Sequence, residues 1–163
     1  MRIENGKIYV KYWDDEYVFT YRENEKLKVD IEEIRALPLK PDEKADILEL
    51  ILDNFYQIPI KSTATYMTYF IDKYTLNFTN CKDDVEKFYD VIENSFYFPP
   101  YFGRNMDAVW DCIRWEIDSE KPIEIIGINR LTDYNQILGE RFLSLINDFM
   151  REYPECKITI IPK

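Results

Sequence analysis

Between Phe98 and Ile113 the chain passes from an aromatic loop, broken by Pro99, Pro100 and Gly103, into a helix, and this passage constrains the fold more than any other feature. The prolines and the glycine punctuate the backbone, so the loop separates two elements. Asn105 then supplies a side-chain oxygen for the backbone donors of a first helical turn. Met106, Val109, Trp110 and Ile113 recur at i, i+3, i+4 and i+7, which makes one stripe of this helix a buried face. Asp107 and Asp111 lie one turn apart on another face. Like charges at that spacing cost a helix about 0.2–0.5 kcal/mol. Asp107, in the first turn, recovers part of this from the helix dipole, and Asp111 does not. The pair reads as placed for a cation outside the chain.

Around this segment the pattern is strand, helix, loop, helix, strand, helix, strand. Tyr74–Phe78 alternates as a strand, and Asn80 with Asp83 reads as a capping pair. Val85, Phe88, Tyr89 and Ile92 then give a helical stripe. Ile123–Ile128 is almost continuously apolar, as a central parallel strand is. A short irregular helical segment is expected near Leu131–Ile137. A last helix over Glu140–Tyr153 follows, with Phe142, Leu145, Ile146 and Phe149 inward, and then a strand at Ile158–Ile161. These alternating elements predict an α/β fold with a small three-stranded parallel sheet flanked by helices.

The preceding residues read differently. Ile8, Val10 and Tyr12, then Tyr17, Phe19 and Tyr21, alternate on either side of Asp14-Asp15 as a hairpin or meander does, with a third strand expected near Leu27-Val29-Ile31. A helix begins at Pro41-Asp42-Glu43 and turns Ile47, Leu48, Ile51, Leu52 and Phe55 inward, ending near Ile58-Pro59. Residues 61–73 read as a strand, an ordered connector or a helix. The expected organisation is an N-terminal α+β extension over residues 1–72 and an α/β domain over 73–163.

A net charge of −10 at pH 7 argues against nucleic-acid or anionic-membrane partners and favours a basic one, although an acidic balance also simply keeps a protein dissolved. The three cysteines are too few and too odd in number for a secreted disulfide framework. Cys112 and Cys156 read as buried thiols, with a bridge between them the alternative. No leader-like start and no long apolar run is present, so a cytoplasmic protein is expected. From the absence of histidine and the solvated spacing of its acids, a monomer that folds without metal is expected as well. The chain has no histidine, which removes the commonest general base, the Ser-His and Cys-His pairs and His-ligated metal sites.

The central segment resembles the barstar family, small bacterial inhibitors of secreted ribonucleases. The resemblance is carried by Pro99, Tyr101, Gly103, Asn105, Asp107, Ala108, Trp110, Asp111 and Cys112, with conservative exchanges at Phe102, Met106, Val109 and Ile113. It extends to Pro122–Ile126 and to Cys156–Ile161, so it covers roughly residues 73–163. It implies a ribonuclease inhibitor or immunity protein, with no cofactor and no reaction catalysed. By the same resemblance, Asp111 enters a basic active site in place of a substrate phosphate, and Asp107 adds a second charge.

Tyr101 and Trp110 are candidate aromatic contacts, Trp110 equally a core residue. Gly103 is expected to hold a backbone conformation that a side chain would strain. Asn105 is a cap and a candidate contact, and Trp115 lies near an aromatic interface position of the family. Asp148 aligns with an acidic contact if an insertion precedes Cys156; other placements select Arg151 or Glu152. Arg104 departs from a family pattern that often has an acid beside this asparagine, which either weakens attraction to a basic enzyme or selects a different one. Two other classes remain open: an adaptor on a retained scaffold, and an enzyme holding a divalent cation with Asp107 and Asp111.

Overall fold

The computed structural model describes residues 1–25, 27–55, 66–99 and 101–163. They fall into two units, Met1–Phe70 and Ile71–Lys163.

In the first unit, β1 (Arg2–Glu4), β2 (Lys7–Tyr12) and β3 (Asp15–Thr20) form an antiparallel sheet in the order β1-β2-β3. Asn5 and Gly6 join β1 to β2 with φ of 50° and 73°, the two left-handed positions of a two-residue hairpin turn. Ile8 of β2 pairs with Phe19 of β3, and both side chains are buried with Val10. Two helices follow, α1 (Ile31–Arg35) and α2 (Pro41–Phe55), and α2 buries Ala45, Ile47, Leu48 and Ile51. Tyr12 donates from its hydroxyl to Asp46 on α2 at 2.9 Å.

Two expectations for this unit are corrected. The third strand is Arg2–Glu4, and no strand forms at Leu27–Ile31. There Asp30 accepts from the Glu32 backbone N–H and starts α1, which turns Ile34 into the core. Glu33 of α1 accepts from both the backbone N–H and the hydroxyl of Thr20, occupying a donor on the edge where a further strand would pair. Among the described residues of the extension, α1 precedes the one helix expected, α2. Tyr66 and Met67 are helical and buried, followed by a turn at 68–70 and not by a strand. The expected helix end near Ile58-Pro59, and residues 61–65, lie outside the described residues.

In the second unit, β4 (Tyr74–Asn77), β5 (Ile123–Ile126) and β6 (Ile158–Ile161) form a parallel sheet in the order β4-β5-β6. Tyr74 is in register with Ile123, and Ile123 with Ile158. Parallel neighbours need long crossovers. α3 (Val85–Phe96) and α4 (Met106–Glu116) make the first, and α5 (Asp133–Glu152) the second. The core gathers Leu76, Phe78, Phe88, Ile92, Val109, Ile113, Ile125, Phe142 and Phe149. This is the expected mixed α/β architecture.

Details differ from expectation. The cap of α3 is Asp84, which accepts from the Lys87 N–H at 3.2 Å, because residues 79–83 are spent in turns. The last helix starts at Asp133 after a short 3-10 turn (Ile128–Arg130), and it runs through Gly139. A Cβ at Gly139 would sit 2.8 Å from Leu131 Cδ1, so this glycine permits close packing and does not break the helix. Cys81, Cys112 and Cys156 are all free. Among the described residues no helix is long and apolar enough to cross a membrane.

Candidate protein-binding site

The loop between α3 and α4 is held from within by aromatic rings. Tyr97 ends α3 in the left-handed region at φ 56°, and its N–H and that of Phe98 both turn back to the Glu93 carbonyl. Phe98 and Phe102 are buried, with centroids 5.1 Å apart, and Phe98 stacks on Phe96 at 5.4 Å. The intervening Tyr101 is 79% exposed. Such an aromatic side chain on a pinned loop has contact area to offer and little entropy to lose.

Asn105 then caps α4, its side-chain oxygen accepting from the Ala108 N–H at 2.9 Å. Val109 and Ile113 are buried, which turns Asp107, Asp111 and Trp115, spaced by four, to the exposed side. Trp115 is 83% exposed. Trp110 is half-buried; the Arg114 guanidinium lies 5.4 Å from its ring centroid, and Arg114 Nε is 3.2 Å from Glu152 on α5.

α4 and α5 enclose an open groove of about 410 Å³ lined by Met106, Asp107, Trp110, Arg141, Ser144, Leu145 and Asp148. Three of the sequence-selected residues, Asp107, Trp110 and Asp148, therefore meet in one place. Asp111 and Trp115 continue down the outer face of α4, and Tyr101 stands on the loop before its N-terminus; these three do not line the groove. Asp148 accepts from Arg151 at 3.0 Å, an exposed pair that a stronger partner can displace at little cost. Arg141 and Ser144 do not stand out in the sequence, and Leu145 reads there only as an inward-facing core residue. Their signal is the spacing 141, 144, 145, 148, one face of a helix.

The reading of Gly103 is corrected. It is absent from the left-handed backbone positions, and an added Cβ would meet Asn105 Nδ2 at 3.5 Å and Ala108 Cβ at 3.7 Å, ordinary contacts. What Gly103 provides is open, exposed backbone beside the N-terminus of α4.

Arg104 turns away from the acidic pair. Its guanidinium reaches Asp90 at 2.6 Å and Glu93 at 3.2 Å, its Nε lies 3.4 Å from Glu86 Oε2, and Nη2 also donates to the Glu86 carbonyl at 2.6 Å. The hydrogen bond to Asp90 raises its already high pKa, against a smaller lowering by burial. Among the described residues no three His, Cys, Asp or Glu side chains gather as a metal site.

The sequence profile of the family described as Barstar (barnase inhibitor) matches residues 72–160. A Bacillus subtilis (strain 168) protein named "Putative ribonuclease inhibitor YrdF" is 39% identical over 36 residues. That match spans 22% of this chain and 40% of the relative. With a profile matching more than half of its length, the chain belongs to the barstar family.

Proposed function

We propose that residues 71–163 form a ribonuclease inhibitor, which places the acidic face of α4 and the Tyr101 loop over the active site of a basic ribonuclease. The observation that carries this reading is the meeting of Asp107, Trp110 and Asp148 in one groove, beside the exposed Asp111. A ribonuclease cleft is built to hold phosphates with cationic side chains. Carboxylates fixed on a helix offer those side chains charge-assisted hydrogen bonds without a reaction to follow. Asp111 is the candidate phosphate mimic, with Asp107 and Asp148 as flanking charges. Tyr101, Trp110 and Trp115 supply aromatic area around them, as interface anchors do.

The target is read as a toxin or secreted nuclease, and the inhibitor as a cytoplasmic monomer that catalyses nothing and needs no metal. The N-terminal residues 1–70 are assigned no part in the inhibition. The test is titration of barnase-catalysed RNA cleavage with the purified full chain. Inhibition complete near one equivalent, and relieved by an excess of a competing nucleotide, is the expected result. Undiminished cleavage at a large molar excess, with and without magnesium, would count against an active-site inhibitor of this enzyme.

A further inference from the structure

Glu86, Asp90 and Glu93 lie at i, i+4 and i+7 on α3, a like-charged stripe that costs a helix stability. All three converge on Arg104, which is 29% exposed and also donates to the Glu86 carbonyl. A planar guanidinium with five donors can serve several acceptors at once; a lysine ammonium cannot hold that fork. Arg104 is also the residue before the Asn105 cap and three residues beyond Tyr101. One side chain thus ties the end of the aromatic loop and the start of α4 to the middle of α3.

We infer that Arg104 is a positioning residue for the inhibitory face: it holds the Tyr101 loop and the N-terminal turn of α4 in the conformation that docks. This rests on the inhibitor reading above and adds to it how the face is preorganised. Fixing a loop in its bound form removes an ordering cost from binding, so loss of the clamp appears as loss of affinity without a lost contact to the partner.

Simple charge makes the opposite forecast. Removing a cation from an acidic inhibitor increases its attraction to a basic enzyme, so on electrostatics alone Arg104→Gln would bind as well or better. Preorganisation requires it to bind worse.

The test uses the full chain with barnase as the probe, and the free protein for a second readout. In free Arg104→Gln, amide hydrogen exchange over residues 98–105 should speed roughly tenfold while β4 and β5 keep their protection. Affinity for barnase should fall roughly tenfold, and the same substitution should cost less than about twofold in a Tyr101→Ala background, the non-additivity of two residues acting through one loop. Arg104→Lys, which keeps the charge and loses the fork, should stay impaired. Unchanged loop exchange, unchanged or tighter binding by Arg104→Gln, full recovery in Arg104→Lys, or strict additivity with Tyr101→Ala would each overturn the assignment. If the wild-type chain itself leaves barnase unbound, the inhibitor reading fails for that enzyme, and the exchange measurement still decides whether Arg104 holds the loop.

Discussion

The side-chain amide of Asn135, fully buried at the start of α5, donates to the backbone carbonyl of Asp84, the cap of α3, at 2.9 Å. Two helices distant in sequence are thereby registered at their N-terminal ends. The Asp84 carbonyl also accepts from the Phe88 N–H at 3.1 Å, so it keeps a partner if Asn135 is removed.

Asn135→Ala should therefore be only moderately destabilising, by about 1–2 kcal/mol from the lost hydrogen bond and side-chain volume. Asn135→Asp should cost roughly 3 kcal/mol or more at neutral pH, because it buries a carboxylate opposite a carbonyl. The deficit should shrink in acid, where that carboxyl protonates. Urea midpoints of the two variants at pH 7 and pH 5 check the order and the trend.

Gly103 and Gly127 should respond oppositely to alanine. Gly127 has φ 68°, and a Cβ there would stand 2.4 Å from Thr79 Oγ1 and 3.0 Å from Thr79 Cα. Gly127→Ala should destabilise the fold by about 1–3 kcal/mol. Gly103→Ala should leave stability unchanged or raise it by up to about 1 kcal/mol, since a Cβ fits and the unfolded chain loses freedom. Its cost should appear in barnase binding, where a methyl intrudes on exposed backbone at the proposed interface. Equal stability losses in the two variants would contradict this division.

Stability should fall on the alkaline side. Burial pushes the Tyr74 phenol and the Cys81, Cys112 and Cys156 thiols above their ordinary pKa values. A group whose folded pKa is raised contributes stability below its unfolded pKa and loses it as pH climbs toward the folded value. The decline should start near pH 8.5 from the thiols and steepen above about pH 10 from Tyr74, the ordinary values of these groups. Tyr74→Phe should flatten the steeper part and also forfeit the hydrogen bond that its hydroxyl accepts from the Asp118 N–H at 3.0 Å. Reversible unfolding under reducing conditions from pH 7 to pH 11 measures both; an unchanged slope in Tyr74→Phe would contradict the assignment.

Much of the fold is legible because residues of one element sit close together in sequence. The 3.6-residue stripes of α3 and α4, and the apolar run of β5, state their own burial. Asn5-Gly6 carries as clear a hairpin signal, yet β1 is too short, at three residues, to show an alternating pattern of its own. Leu27, Val29 and Ile31 alternate as a strand does, but Asp30 caps a helix from within the same stretch. The last helix reads from Glu140 in the sequence, and the role of Gly139 within it shows only once Leu131 and Ile128 are folded against it. The same limit governs the site. Asp107, Trp110 and Asp111 share a helix and were readable together. The groove that adds Arg141, Ser144 and Leu145 exists only where α5 packs on α4. The partners of Arg104 are not legible without α3, because the acids that capture its charge lie 11 to 18 residues earlier.

Residues 71–163 contain the complete parallel sheet, its three helices and a core built within that unit. A chain of these residues alone should unfold cooperatively and inhibit barnase within about twofold of the full chain, as expected when no interface residue is removed. A fragment that folds but inhibits weakly would give residues 1–70 a part in binding. A fragment that fails to fold would contradict the division.

The most direct measurement is the dissociation constant of the complex with barnase for the wild-type full chain and for Asp111→Ala, with an unfolding curve for each. Asp111 is exposed on the outer face of α4, so folding should be unchanged or slightly improved by relief of its repulsion with Asp107. Binding should weaken by about 4 kcal/mol or more, because basic groups of the enzyme would be buried without their anion; barstar itself supplies the upper example of that range, so the magnitude is the family's. Asp107→Ala should cost less. An Asp111→Ala chain that binds as tightly as wild type would contradict an inhibitor that plugs the active site with this carboxylate.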